Sequence, residues 1–187
     1  MKVRAGMGIF GAMALALAVF AGAVPARAAS LEYPVKAAFL YKFAPFVEWP
    51  ATAWVSPSSP LTLCVVGDDP FGGMLDRTVE GRRLGPHPIV VHRLERLAAD
   101  SGCSIAYIGG SKAQSVSDAL AAVQGTPVLT VTDEAEGGDR GIIHFVLRGN
   151  RVRFVIDDAA AAKNGMVISS KLMRLALAVH LRNGGRL

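Results

Sequence analysis

Val35–Pro50 reads VKAAFLYKFAPFVEWP, and it carries Phe39, Tyr41, Phe43, Phe46 and Trp49, five of the chain's thirteen aromatic residues. Up to Ala44 the pattern predicts a helix. Val35, Phe39 and Phe43 recur at fourfold spacing, and Glu32 stands one turn before Lys36 as a helix-stabilising pair. Pro45 ends it. Ala37, Ala38, Leu40 and Tyr41 put apolar surface on the other sides as well, so this helix is expected to bury more than one face, against its own sheet and against a second chain. Phe46, Val47 and Trp49 continue as an extended segment closed by Pro50, because a residue before proline avoids the helical region.

Upstream of this helix the chain looks like an export signal. Lys2 and Arg4 precede an apolar run from Gly6 to Val24, and Ala26, Arg27 and Ala28 form an A-x-A cleavage site. Residues 1–28 are therefore expected to be a cleaved signal peptide, leaving residues 29–187 as a single exported domain. The formal charge of +5 falls to +2 once Lys2, Arg4 and Arg27 leave, with 17 basic against 15 acidic residues. With no long basic run, nucleic-acid binding loses its electrostatic basis.

Downstream, Leu61–Val66 is a continuous apolar run ending in Gly67, the signature of a strand covered on both faces. Further strands are expected at Pro88–His92, Cys103–Ile108 and Val128–Val131. Ile142–Leu147 and Val152–Ile156 flank Arg148, Gly149, Asn150 and Arg151, a hairpin signal. Because Arg151 and Arg153 alternate with Val152 and Phe154, the second of these strands is expected near a sheet edge with one wetter face. Helices are expected after Asp69, weakly over Leu94–Ala99, after a Ser111 cap, over Ala159–Lys163, and finally after Ser169 or Ser170 with Leu172, Leu175, Ala176 and Val179 on one side. Strands alternating with helices give an α/β fold: a mainly parallel central sheet of about six strands, flanked by helices on both faces, with a C-terminal hairpin and a final helix.

Cys64 and Cys103 are the only cysteines. In an exported chain they are expected to be joined, two separate buried thiols being the alternative. They form no CxxC and have no neighbouring histidine spacing, so nothing points to a metal or redox site.

Chemistry is to be sought where an open α/β sheet forms its crevice, at the carboxyl ends of the strands. Asp68, Asp69, Ser111, Lys112 and Asp133 fall there and are the candidate ligand crevice. Gly67–Gly73 reads GDDPFGG, without the G-x-G-x-x-G spacing, and it aims two carboxylates where a pyrophosphate would sit; no cofactor is expected. His87, His92, His144 and His180 have no helical metal spacing. Asp157 and Asp158 could form a catalytic carboxylate pair, with His144 as a further candidate, but the two aspartates fit equally well as the start of a short helix. Without a G-x-S-x-G elbow no nucleophile can be paired with a base, so catalysis by a hydrolytic enzyme is the least favoured reading.

VKAAFLYKFAPFVEWP, CVVGDDPFGGML, CSIAYI, PVLTVTDEAEGGDRGIIHFV and RVRFVIDDAAAAKNGMVISSKLMRLA occur in this order, and together they make the chain resemble the YfiR family of periplasmic proteins. The resemblance implies an α/β fold, dimerisation, and a disulfide that would fall on Cys64 and Cys103. It also implies a repressor that binds the periplasmic sensor part of an inner-membrane diguanylate cyclase and lowers cyclic-di-GMP, with an outer-membrane lipoprotein as its sequestering partner. Phe46, Trp49, Arg82, Arg83 and Arg174 are the candidate partner-binding residues. A periplasmic small-molecule receptor using the strand-end crevice is the alternative.

Overall fold

A computed structural model describes residues 31–182 and 185; the expected signal peptide and its cleavage site lie outside them. In chain order the elements are α1 (Glu32–Phe43), β1 (Val47–Glu48), β2 (Leu61–Gly67), α2 (Gly73–Val79), β3 (Arg83–Leu84), β4 (His87–Leu94), β5 (Ile105–Gly110) and α3 (Val116–Ala122). These are followed by β6 (Leu129–Asp133), β7 (Ile143–Arg148), β8 (Arg151–Asp157), α4 (Asp158–Lys163), β9 (Val167–Ile168), α5 (Ser170–Met173) and β10 (Ala178–His180).

Eight strands form one sheet in the order β10-β8-β7-β6-β5-β2-β4-β3, and β1 pairs with β9 in a separate two-stranded ribbon. Within the main sheet only β7/β8 and β4/β3 are antiparallel. β2 and β5 are buried along almost their whole length because both faces are covered. Leu61, Leu63, Val65, Ile105 and Tyr107 join the cluster that packs under α1 and α2. Cys64, Val66, Ala106 and Ile108 face the opposite cluster, which α3 completes through Val116 and Ala119. The Cys64–Cys103 disulfide lies within that second cluster, with a Cα–Cα distance of 5.8 Å.

α1 buries Lys36, Ala37, Leu40 and Phe43, while Val35 is 39% exposed. The stripe that meets the sheet is therefore rotated from the Val35-Phe39-Phe43 line that spacing alone suggests. Phe39 and Phe43 still stack, at 5.7 Å, and Phe43 reaches Phe154 at 5.2 Å across the face of β8.

At the carboxyl ends of β2 and β5 the two backbones almost touch. A Cβ on Gly67 would lie 2.3 Å from the Gly110 carbonyl oxygen, and one on Gly109 would lie 2.3 Å from that of Asp68. Only glycine fits this approach. On the far side of β6, residues 134–142 carry the chain across one sheet face to begin β7, with a short turn over Glu134–Glu136 in place of the usual crossover helix. Two threonine hydroxyls on that face hold the end of this crossing: Thr132 accepts from Gly141 N–H at 2.8 Å, and Thr130 from Ile142 N–H at 2.9 Å.

The sheet is wider than expected by two short edge strands, β3 and β10. Gly81–Pro86 contains β3, which folds back on β4 across Gly85 and Pro86. The final helix is only α5; the residues after it extend and pair with β8, Ala178 opposite Val155 and His180 opposite Asp157. Leu175–Val179 satisfies helical and strand periodicity alike, and the strand prevails because it buries Val179 and lets Leu177 N–H donate to Phe154 O at 2.8 Å. Leu94–Ala99 is not helical. Leu97 is instead clamped by the Gln114 amide, which accepts from Leu97 N–H at 2.7 Å and donates to Leu97 O at 3.0 Å. The cap expected of Ser111 belongs to Ser115, whose hydroxyl accepts from Asp118 N–H; Ser111 instead accepts from Ala113 and Gln114 N–H in the preceding turn.

Candidate functional site

The strand-end crevice exists as an open groove of about 640 Å³. Asp68 and Asp69 lie on one rim and Ser111 and Lys112 on the other, with Arg93 and Glu95 completing the lining. Asp69 has two tasks there. One carboxylate oxygen accepts from the Phe71 and Gly72 amides in the turn before α2, and the other accepts from Arg93 Nε at 2.8 Å. Arg93 also grips Asp76 at 2.6 Å and donates to Gly72 O at 2.8 Å, and its hydrogen bond to Asp76 holds that carboxyl below its ordinary range. Asp68 and Lys112 have no ion-pair partner among the described residues.

Asp133 does not join the groove. It is 1% exposed and forms an ion pair with Lys36 of α1, which also bridges to Glu32. Burial alone would pull the Lys36 pKa down, but its hydrogen bonds to Asp133 and Glu32 outweigh that and leave it above the ordinary lysine value. Tyr107, whose hydroxyl is 3.5 Å from Asp133, is pushed up by burial and then by the Asp133 charge. Glu136 is also raised, again by burial and then by Asp133. Tyr33 lies beside the pair, with the Lys36 ammonium 5.0 Å from its ring centre, and stands edge-on to Phe71. The Glu32–Lys36 pair expected from helical spacing is present, and what spacing does not show is the second carboxylate, Asp133. The available signal was a lysine inside an otherwise apolar helical stretch.

The candidate partner-binding residues flank β1, lie at β3 and follow α5. Phe46 O accepts from Ser169 N–H at 2.9 Å, linking the β1–β9 ribbon to α5, which ends beside the exposed Arg174. Trp49 stands edge-on to Trp54 at 6.0 Å, and Trp54 stacks on His87 at 3.9 Å where β4 begins. The indole N–H of Trp49 is buried with no hydrogen-bond partner among the described residues. Arg82 lies over the Tyr41 ring at 5.6 Å, and Arg83 donates to Pro86 O in the β3–β4 turn. Both arginines are exposed. Trp54 was not singled out from the sequence, and His87 was weighed only as a metal ligand.

Asp157, Asp158 and His144 are each occupied by structural contacts. Asp157 caps α4 by accepting from Ala160 N–H at 2.8 Å, and Asp158 holds Arg182 at 2.8 Å. His144 is buried, with Nδ1 2.9 Å from Thr132 Oγ1, and burial pushes its pKa below the ordinary imidazole value. Among the described residues, no group of three or more His, Cys, Asp or Glu is placed to hold a metal ion, and no helix is long and apolar enough to cross a membrane.

Fold and surface define an α/β module with a mainly parallel sheet, a charged strand-end groove and an aromatic, basic edge. The chain belongs to the YfiR/HmsC-like family, whose model matches residues 33–177. No curated protein matches it. Membership supports a regulatory role in the periplasm.

Proposed function

We propose that the protein is a periplasmic repressor that binds the periplasmic sensor part of an inner-membrane signalling protein, a diguanylate cyclase, and lowers cyclic-di-GMP. The observation that carries this is the family match across residues 33–177. The expected export signal at residues 1–28 and the Cys64–Cys103 disulfide agree with the compartment. The contact surface is the row of Phe46, Trp49 and Trp54 with Arg82, Arg83 and Arg174 around it, a combination of aromatic and arginine side chains suited to a protein interface.

The mechanism is equilibrium capture. A repressor that binds only the inactive form of the sensor holds the population there, by no more than its difference in affinity for the two forms. A homodimer doubles the contact, and an outer-membrane lipoprotein that sequesters the repressor releases the sensor. Deleting the gene raises cyclic-di-GMP on this reading, and the mature protein captures the cyclase's periplasmic part from solution. Unchanged cyclic-di-GMP in a strain that carries the cyclase would sink it.

The groove supports a second reading, a small-molecule receptor. Asp68 and Lys112 face it with no ionic partner among the described residues, a pairing that suits a small ligand with both charges. A thermal-shift screen with periplasmic metabolites tests this, and a hit abolished by Lys112→Ala would favour it.

A further inference from the structure

The outer edge of β8 is only half covered. β10 pairs with Val155, Ile156 and Asp157, and no described strand lies beside Arg151–Arg153. β7 and β8 close on each other at Arg148 and Arg151 across a two-residue turn, Gly149 and Asn150, with φ of 55° and 59°. In such a hairpin the closing pair exchanges hydrogen bonds, so alternate residues along β8, Val152 and Phe154, turn their backbone groups away from β7. The bond from Leu177 N–H to Phe154 O at 2.8 Å shows that direction. Two residues earlier in β8, the Val152 amide and carbonyl point past the end of β10.

The side chains around this open edge have one sign. Arg148 stands directly opposite Arg151, an arrangement that costs stability. Glu134 neutralises Arg148, at 2.9 Å, while Arg151 and Arg153 are exposed and have no ion-pair partner among the described residues. Leu177, 46% exposed, adds apolar surface where β10 begins. A second copy of this chain does not suit the edge, because pairing β8 with β8 would set arginines against arginines.

We propose that the open edge of β8 at Val152 is a strand-addition site for an extended segment of a partner protein in which acidic residues alternate with apolar ones. The segment hydrogen-bonds to the Val152 backbone, its carboxylates meet Arg151 and Arg153, and its apolar side chains lie toward Leu177. The identity of the partner as the sensor rests on the regulatory reading above; the edge itself does not.

The test uses the mature protein and two blocked octapeptides, one alternating glutamate with valine and one alternating lysine with valine. The glutamate peptide is expected to shift the amide resonances of Val152 and Phe154 and to slow hydrogen exchange at Val152. The lysine peptide is expected to do neither. Arg151→Glu with Arg153→Glu should weaken the glutamate peptide by about tenfold or more and take up the lysine peptide instead. Equal binding of both peptides, shifts confined to other residues, or no binding would overturn the proposal. So would self-association of the Arg151→Gln, Arg153→Gln variant without peptide binding, since the arginines would then serve only to keep the edge unpaired. Failure of the peptide overturns the docking edge and leaves the regulatory reading standing. A protein that binds the peptide yet captures no cyclase does the reverse.

Discussion

Lys36 of α1 and Asp133 at the end of β6 form an ion pair whose side chains are 2% and 1% exposed, so the first helix is fastened to the carboxyl edge of the sheet by two buried charges. Their attraction offsets the cost of removing both from water only while both are present. Lys36→Met should therefore cost about 3–5 kcal/mol, because Asp133 is left buried without its cation. Lys36→Met combined with Asp133→Leu should recover most of that loss. Urea unfolding of the two single variants and the double variant decides it: additive losses would show that the pair is not coupled.

The disulfide joins residues 39 apart in sequence and lies in the smaller core cluster, beside Val66 and Ile108. In the chain-entropy picture, closing a loop of that size stabilises the fold by about 4 kcal/mol. Cys64→Ala with Cys103→Ala, or reduction with dithiothreitol, should lower the urea midpoint accordingly. A midpoint unchanged by reductant, with mass spectrometry showing both thiols free, would contradict the constraint.

His144 gives stability a pH dependence. Its Nδ1 lies 2.9 Å from the Thr132 hydroxyl, which also accepts from Gly141 N–H. Arg140 and Arg148 lie near it as cations, and Asp133 and Glu134 as acids. Burial, first, and Arg140 hold the folded pKa below the ordinary 6.5. A depressed folded value means that the stability is fully present above pH 6.5 and is lost as pH falls from there through the folded value, because the unfolded chain takes up the proton first. Urea midpoints between pH 7.5 and pH 5 should fall for the wild type and fall less for His144→Gln. Parallel slopes for the two proteins would remove His144 from the account. The Asp76 contribution is separate, since its depressed carboxyl acts only below the ordinary 3.8.

The sequence made much of this arrangement legible. The unbroken apolar run Leu61–Val66 marked a strand covered on both sides, and Gly149 with Asn150 marked the hairpin, because these signals depend on near neighbours alone. The two cysteines could be paired because export leaves two thiols few alternatives. The Glu32–Lys36 pair is present as its spacing indicates, but the burial of Lys36 is not legible from near neighbours, because it depends on the distant Asp133. Leu175–Val179 was misread because its apolar residues suit either period, and the free edge of β8 decided between them. Around Trp49 the arrangement depends on Trp54 stacking on His87, a contact across the linker that no local pattern encodes.

Gly109 is the sharpest test of how the strand ends are packed. Its backbone φ is not in the left-handed region, so alanine adds no conformational strain there, yet the new methyl would lie 2.3 Å from the Asp68 carbonyl oxygen. That neighbour is backbone, held by Asp68 N–H donating to Gly110 O at 2.9 Å, and it cannot rotate aside as a side chain would. Relief requires the ends of β2 and β5 to part, which overpacking of this kind makes cost about 1–3 kcal/mol. Because Asp68 and Ser111 flank the contact and line the groove, Gly109→Ala should also widen the groove, whereas Gly138→Ala, with open space around it and no left-handed φ, should leave the groove alone. Thermal denaturation and the amide shifts of Asp68, Ser111 and Lys112 read the two effects together; a Gly109→Ala protein with wild-type stability and unmoved groove amides would refute the close approach.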